Sequence, residues 1–174
     1  MGAFGRHKAH SCMILTPLSQ RLDFKKDEYK NKGCGIACLG MFIGSGIDLD
    51  GLFEKGVESG AYTPGIGWRH RGLVELAHSL GFSHSQNHDL ASLSVEEALE
   101  TLEAALAEGP VIASVYTQYD PSQTEGHLVV LWSLTDEAAE VMDPAATHHE
   151  SVRQRIPKGQ FLGGWKKRFI AIRQ

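Results

Sequence analysis

The sequence predicts an α+β domain, with helices in its first part and antiparallel strands in its second. Three observations predict it. Before Gly109, apolar residues recur at helical spacing, as in Leu73, Leu76, Ala77 and Leu80. Helix-boundary signals fall in the same part, among them Ser94 with Glu97, the pair that makes a capping box. After Gly109-Pro110 the pattern changes to short apolar runs separated by turn residues.

Taken in order, residues 1–12 read as a loose polar arm, and 13–174 as a single domain. Met13 to Leu18 reads as a short strand. Arg21 to Lys32 is dense in Lys, Asp and Glu and reads as an exposed loop leading to Gly33. A helix follows from Cys34 to about Ile43 and ends in Gly44-Ser45-Gly46. Asp48 is placed to cap a second helix, Leu49 to Lys55. Gly60 to Gly67 is a turn-rich loop around Thr63-Pro64-Gly65. Trp68 to Leu80 is helical, and Gly81 stops it. The helix opened by Ser94 runs to about Ala107. Val111 to Tyr116, His127 to Leu134, Glu140 to Met142 and Phe169 to Ile172 read as strands, with a turn at Thr135 to Ala139.

The chain of 174 residues suits one compact domain, and its hydrophobic fraction of 42% suffices for a core. Net charge is −4, and Lys and Arg are scattered until Trp165-Lys166-Lys167-Arg168. That distribution argues against a nucleic-acid surface, and the late basic run reads as a solvated strand edge, with a site for an anionic ligand as the alternative. No apolar run reaches membrane-spanning length, and the residues before Met13 lack the apolar core of a secretory signal. Met1-Gly2 is followed by Arg6 where a myristoylation motif needs Ser or Thr. Three cysteines cannot complete a disulfide framework, so the expected setting is reducing and cytoplasmic, with free thiols.

Chemistry concentrates at Cys34. It stands between Gly33 and Gly35 at the start of its helix, where orphan N–H groups and the macrodipole favour an anion such as a thiolate. A buried cysteine that merely packs is the plain alternative. Cys38, one turn on and among apolar neighbours, reads as core, and Cys12 as incidental. A thiolate nucleophile needs a base, and His127 opens the apolar strand Leu128-Val129-Val130-Leu131. The base needs an orienter, and Asp143 follows the strand that would pair with it. An ordinary strand-edge histidine and an Asp-Pro turn are the plain readings of those two. Tyr116, Gln118 and Tyr119 fit either a cleft wall or a solvated loop. Trp68, Trp132 and Trp165 read as core or cleft wall. His84 and His88 lack the Cys or carboxylate company of a zinc pattern, so no metal and no cofactor is expected.

"GCGIACLGM", "GHLVVL" and "VMDP", in that order, resemble the bacteriocin-leader (double-glycine) peptidase-like branch of the papain-like cysteine peptidases. "RGLVELAHSLGF" resembles a later helix of that family, and "LEAALAEGPVIASVY" its entry to the histidine strand. The resemblance covers roughly residues 13 to 172. It implies a papain-like fold, with a helical part packed on an antiparallel sheet. It matches Cys34 to the nucleophile, His127 to the base and Asp143 to the third member. Gln20 in "LTPLSQ" matches the oxyanion-donating glutamine by context, although its gap to Cys34 is longer than in transporter-fused members. At their shorter spacing this chain has Glu28. Gly33 stands where many members have an acidic residue.

The function implied is a cysteine peptidase or amide hydrolase in its standalone form, acting on a peptide or protein. Two alternatives keep the fold: a catalytically silent peptide-binding module, and an acyl or peptidyl transferase using the same triad. An intact Cys34, His127 and Asp143 favours an enzyme over a binding module, which needs none of them.

Overall fold

The structure, a computed structural model, describes residues 13–174. The expected arm at 1–12, with Cys12, lies outside the described residues. The helical part comprises α1 (Asp27–Lys30), α2 (Cys34–Ile43), α3 (Leu49–Glu58) and α4 (His70–Ser79). A small hairpin, β1 (Tyr62–Thr63) and β2 (Gly67–Trp68), precedes α4. Next come β3 (Gln86–Asp89), α5 (Val95–Glu108), β4 (Val111–Tyr116), β5 (Gly126–Leu134) and β6 (Ala138–Met142). The chain closes with β7 (Arg153–Pro157), α6 (Lys158–Gly164) and β8 (Trp165–Ala171).

Six strands form one antiparallel sheet in the order β3-β8-β4-β5-β6-β7. Side chains alternate between its faces. Ile112, Leu128, Val130, Met142 and Ile170 join a core with α2, α3 and α4. Val111, Ala113, Val115, Val129, Leu131 and Phe169 join a second core with α5 and α6. The expected α+β architecture, helical part against antiparallel sheet, is therefore present.

Helix α2 is apolar around its whole circumference, and Gly35 to Phe42 are all buried. Such a helix is stable only inside a core. Burying Ile36, Leu39 and Met41 contributes about 1.5–3 kcal/mol each, and Leu39→Ala would cost about 2–5 kcal/mol. In α5 both bonds of the capping box form, with the Glu97 N–H donating to Ser94 Oγ and the Ser94 N–H to Glu97. Gly81 ends α4 with φ at +95°, a conformation that glycine alone adopts without strain.

Several expectations need correction. Met13 to Leu18 forms no strand. Leu15 is buried in the core with α2, Met13 and Leu18 pack against that core, Ile14 is exposed, and Thr16 N–H donates to the Met41 carbonyl at 3.0 Å, so the run serves helix packing rather than a sheet. Asp48 occupies the N-cap position of α3 but makes no side-chain capping bond. The Arg21 to Lys32 loop contains α1, and the Gly60 to Gly67 loop contains most of the β1–β2 hairpin. Strands β3 and β7 carry almost no apolar residues. They are the sheet edges, held by backbone pairing and kept polar as edges commonly are. The Lys166 to Arg168 run is no solvated edge: β8 lies between β3 and β4.

Candidate active site

Cys34 is the first residue of α2, and Gly33 is its N-cap with no side-chain cap bond. Nothing in the capping position competes with a negative charge for the first-turn N–H groups. The flanking glycines are required by packing. A Cβ on Gly33 would collide with the Phe24 ring, and one on Gly35 would lie 2.7 Å from Trp68 Cγ. The Trp68 indole N–H donates to the Lys32 carbonyl at 2.6 Å, fixing the turn that delivers Cys34.

His127 is the second residue of β5, in register with Val115 of β4. Val130 of β5 pairs with Met142 of β6, so Asp143 lies one step beyond that pair, across from the stretch that His127 opens. Its backbone N–H donates to the Val152 carbonyl at 2.8 Å. Asp143 Oδ1 lies 2.7 Å from His127 Nε2 and accepts the Ala145 N–H at 2.8 Å. The other ring nitrogen, Nδ1, is left for the cleft. Both side chains are largely buried, at 15% and 19% exposure for His127 and Asp143.

The electrostatics follow from this placement. Burial opposes a charge on His127, but the hydrogen bond to Asp143 and the influence of the Cys34 thiol prevail, and its pKa is pushed up to about 10. Burial likewise opposes a charge on Asp143, yet the His127 hydrogen bond and charge, with the Ala145 N–H, hold its pKa below the ordinary carboxylate value. The Cys34 thiol thus bears on the same imidazole.

Gln20 is buried and belongs to the same region. Its backbone N–H donates to the Pro144 carbonyl at 2.7 Å, and its Nε2 donates to the Lys30 carbonyl at 2.7 Å. It thereby ties the Asp143 turn to the segment before Cys34. No hydrogen bond joins it to Cys34. One Nε2 hydrogen remains uncommitted, and Oε1 is buried without a partner. Glu28, the rival by spacing, is exposed and lines a different groove with Tyr29 and Phe53.

Cys38 is fully buried, with its thiol 3.3 Å from the Leu128 carbonyl, as expected of a core residue. Tyr116, Gln118 and Tyr119 do not line the cleft: Tyr116 lies under the Lys166 ammonium, and Tyr119 packs on Phe161. His84 meets the Gln174 carbonyl, and His88 stacks on Phe169. Trp165 and Trp68 are buried, and Trp68 also lines the cleft.

That cleft has a volume of about 610 Å³ and is lined by Cys34, His127, Trp68, Ser114, Tyr62 and the 79% exposed Ile66, among others. Sequence reasoning missed the hairpin that carries Ile66 over it, because two-residue strands leave no periodicity to find. It also missed Lys166, Arg168 and His70, which line the same cleft.

The fold is shared with solved peptidases. The chain is similar to a C39-like peptidase from Bacillus anthracis, with 16% identity and a TM-score of 0.59 over 94% of this chain and 96% of that one. It is also similar to the peptidase domain of Streptococcus ComA, a bifunctional ABC transporter of a quorum-sensing pathway. There the identity is 20% and the TM-score 0.59, over 83% of this chain and 93% of that domain. No protein-family model matches the chain. No curated protein matches it either. The class defined is the papain-like α+β fold. Within it, the chain has the fold of the C39-like peptidases.

Proposed function

We propose that the protein is a cysteine peptidase or amide hydrolase of the C39-like type, acting on a peptide or protein. The observation that carries this reading is the 2.7 Å pairing of His127 Nε2 with Asp143 in the cleft that Cys34 lines. An imidazole held cationic to about pH 10 beside a sulfur stabilises a thiolate there and is a ready proton donor.

In the reaction, the Cys34 thiolate attacks the scissile carbonyl carbon, and the carbonyl electrons move to oxygen. The Cys34 backbone N–H and the uncommitted Nε2 hydrogen of Gln20 receive that oxyanion. The tetrahedral species collapses as His127 gives its proton to the leaving amine, which departs, and a thioester remains. Water then attacks the thioester while His127 takes its proton. The tetrahedral species then expels the Cys34 sulfur as thiolate, the carboxylic acid is released, and the thiolate beside protonated His127 is restored. Asp143 keeps the ring in the tautomer that presents Nδ1 to the sulfur.

Reaction with an activity-based thiol probe, followed by mass spectrometry, tests the reading. Labelling confined to Cys34, and cleavage of a casein digest that is lost in Cys34→Ala, are expected. Absence of both would leave a silent peptide-binding module. Product bearing an added amine, when one is supplied, would mark a transferase.

A further inference from the structure

Strand β8 breaks its register with β4 beside the cleft. Ser114 pairs with Arg168, but Val115 pairs with Trp165, so Lys166 and Lys167 form a two-residue bulge. Lys167 sits at φ +53°, a left-handed conformation that is strained for a side-chain-bearing residue. Bulges of this kind re-aim side chains, often beside active sites. Here Lys167 turns to the Leu93 carbonyl, while Lys166 lines the cleft with Arg168. The Lys166 ammonium lies 4.6 Å from the Tyr116 ring centroid and closely approaches Gly126, the residue before His127.

The charge of this wall is not balanced. Among the residues lining the cleft, Lys32, Lys166 and Arg168 are cationic, and Glu125 is the anion. Among the described residues Arg168 has one carboxylate partner, Asp89, whose Oδ1 lies 3.0 Å from its Nε. Among the described residues Lys166 has no carboxylate partner. His70 lines the same wall; burial, then Arg168, lowers its pKa against the opposing charge of Asp89, and Lys166 adds a smaller lowering, which leaves it a neutral donor or acceptor. Ser114, paired with Arg168, adds a hydroxyl. A chain whose net charge is −4 has gathered cations where the substrate must lie.

We propose that Lys166 and Arg168, with Ser114 and His70 beside them, form a carboxylate-binding subsite that selects peptides with an anionic group close to the scissile amide. The inference rests on the peptidase reading for what the cleft accepts. An acidic side chain and a free C-terminal carboxylate offer the same chemistry, so the test separates them.

The first experiment compares alkylation of Cys34 by iodoacetate and by iodoacetamide, followed by mass spectrometry, in wild type and in Lys166→Met, Arg168→Gln and the remote control Lys158→Met. The His127 cation favours iodoacetate in every one of these proteins, so the change between variants is the readout. A cationic wall predicts that the iodoacetate preference falls about tenfold in Lys166→Met and in Arg168→Gln, and stays in the control. An unchanged preference in both variants overturns the subsite. If Cys34 reacts with neither reagent, the peptidase reading fails, and a binding experiment decides the subsite alone. Cys34→Ala is titrated with four fluorescein-labelled alanine hexapeptides, carrying one Glu or one Gln, each as C-terminal acid or amide. Tighter binding of the Glu pair, abolished by Lys166→Met, assigns a side-chain site. Tighter binding of the acid pair assigns a C-terminal one. Equal behaviour of all four overturns the proposal.

Discussion

Asp143 Oδ1 serves two donors at once, His127 Nε2 at 2.7 Å and the Ala145 backbone N–H at 2.8 Å. The second bond anchors the carboxylate to its own turn. The ring is therefore held by an oxygen that is itself held, and the order of positioning runs from the Asp143–Pro144 turn to the imidazole, and from there to the sulfur.

Asp143→Ala should lower turnover by about a hundredfold or more, since it disorganises the group that moves the proton. The same change removes one of the causes that raise the His127 pKa to about 10. The alkaline limb of the pH–rate profile, where His127 loses the proton it must donate, should then move to lower pH. A profile measured for both proteins checks this, and an alkaline limb at the same pH in each would contradict the assignment.

Stability should carry the same signature. The His127 pKa is raised by folding, so its contribution is full below about 6.5, the unfolded value, and is lost as pH rises through about 10. The Asp143 pKa is lowered by folding, so its contribution is present above 3.8 and is lost as pH falls through the depressed value. Urea unfolding across this range should show the margin of wild type over Asp143→Ala widest between pH 3.8 and 6.5, shrinking as pH falls below that window and as it rises toward about 10. A margin constant with pH would show that the pair is not coupled to folding.

Gln20→Ala should reduce turnover by on the order of a hundredfold while iodoacetamide still labels Cys34. The oxyanion forms only in the transition state, whereas alkylation reads the resting thiolate. Glu28→Ala should leave turnover near wild type, because Glu28 faces a different groove. Unchanged turnover in Gln20→Ala would leave the oxyanion to backbone N–H groups.

Cys34 should be alkylated by iodoacetamide well before Cys38 in the folded protein. Cys38 is fully buried, and burial first, then the charges of Cys34 and Asp143, hold its pKa well above the ordinary thiol value. Peptide mapping after brief labelling measures the order. Equal labelling in folded protein would count against a nucleophilic Cys34.

Much of this site was legible because each part announces itself locally. Gly-Cys-Gly before an apolar run marks a helix start, and Gly-His before Leu-Val-Val-Leu marks a strand mouth. Asp-Pro marks the end of the strand that returns beside it. The long separations between them closed because β5 and β6 form a tight hairpin and α2 packs on β5. The cationic wall was not legible for the opposite reason. It exists because the last strand of the chain inserts between β3 and β4, and no local pattern encodes strand order. The polar edges β3 and β7 escaped too, since they are held mainly by backbone pairing and by polar and ring contacts, which leave no apolar alternation to read. Met13 to Leu18 misled because an apolar run that packs on helices looks the same in sequence as a strand.

The close approach of Gly33 to Phe24 couples these two positions sterically. A side chain at 33 can be accepted only after the ring at 24 has shrunk or swung aside, and a smaller residue at 24 leaves a hollow while 33 remains glycine. Overpacking costs about 1–3 kcal/mol, and losing a buried Phe about 3–5 kcal/mol. Either first step alone therefore descends into a less stable intermediate, and a lineage that crosses it must change both. Relatives with an acidic residue before the cysteine should differ at the place of Phe24 as well, so that the two sites vary as one character rather than two.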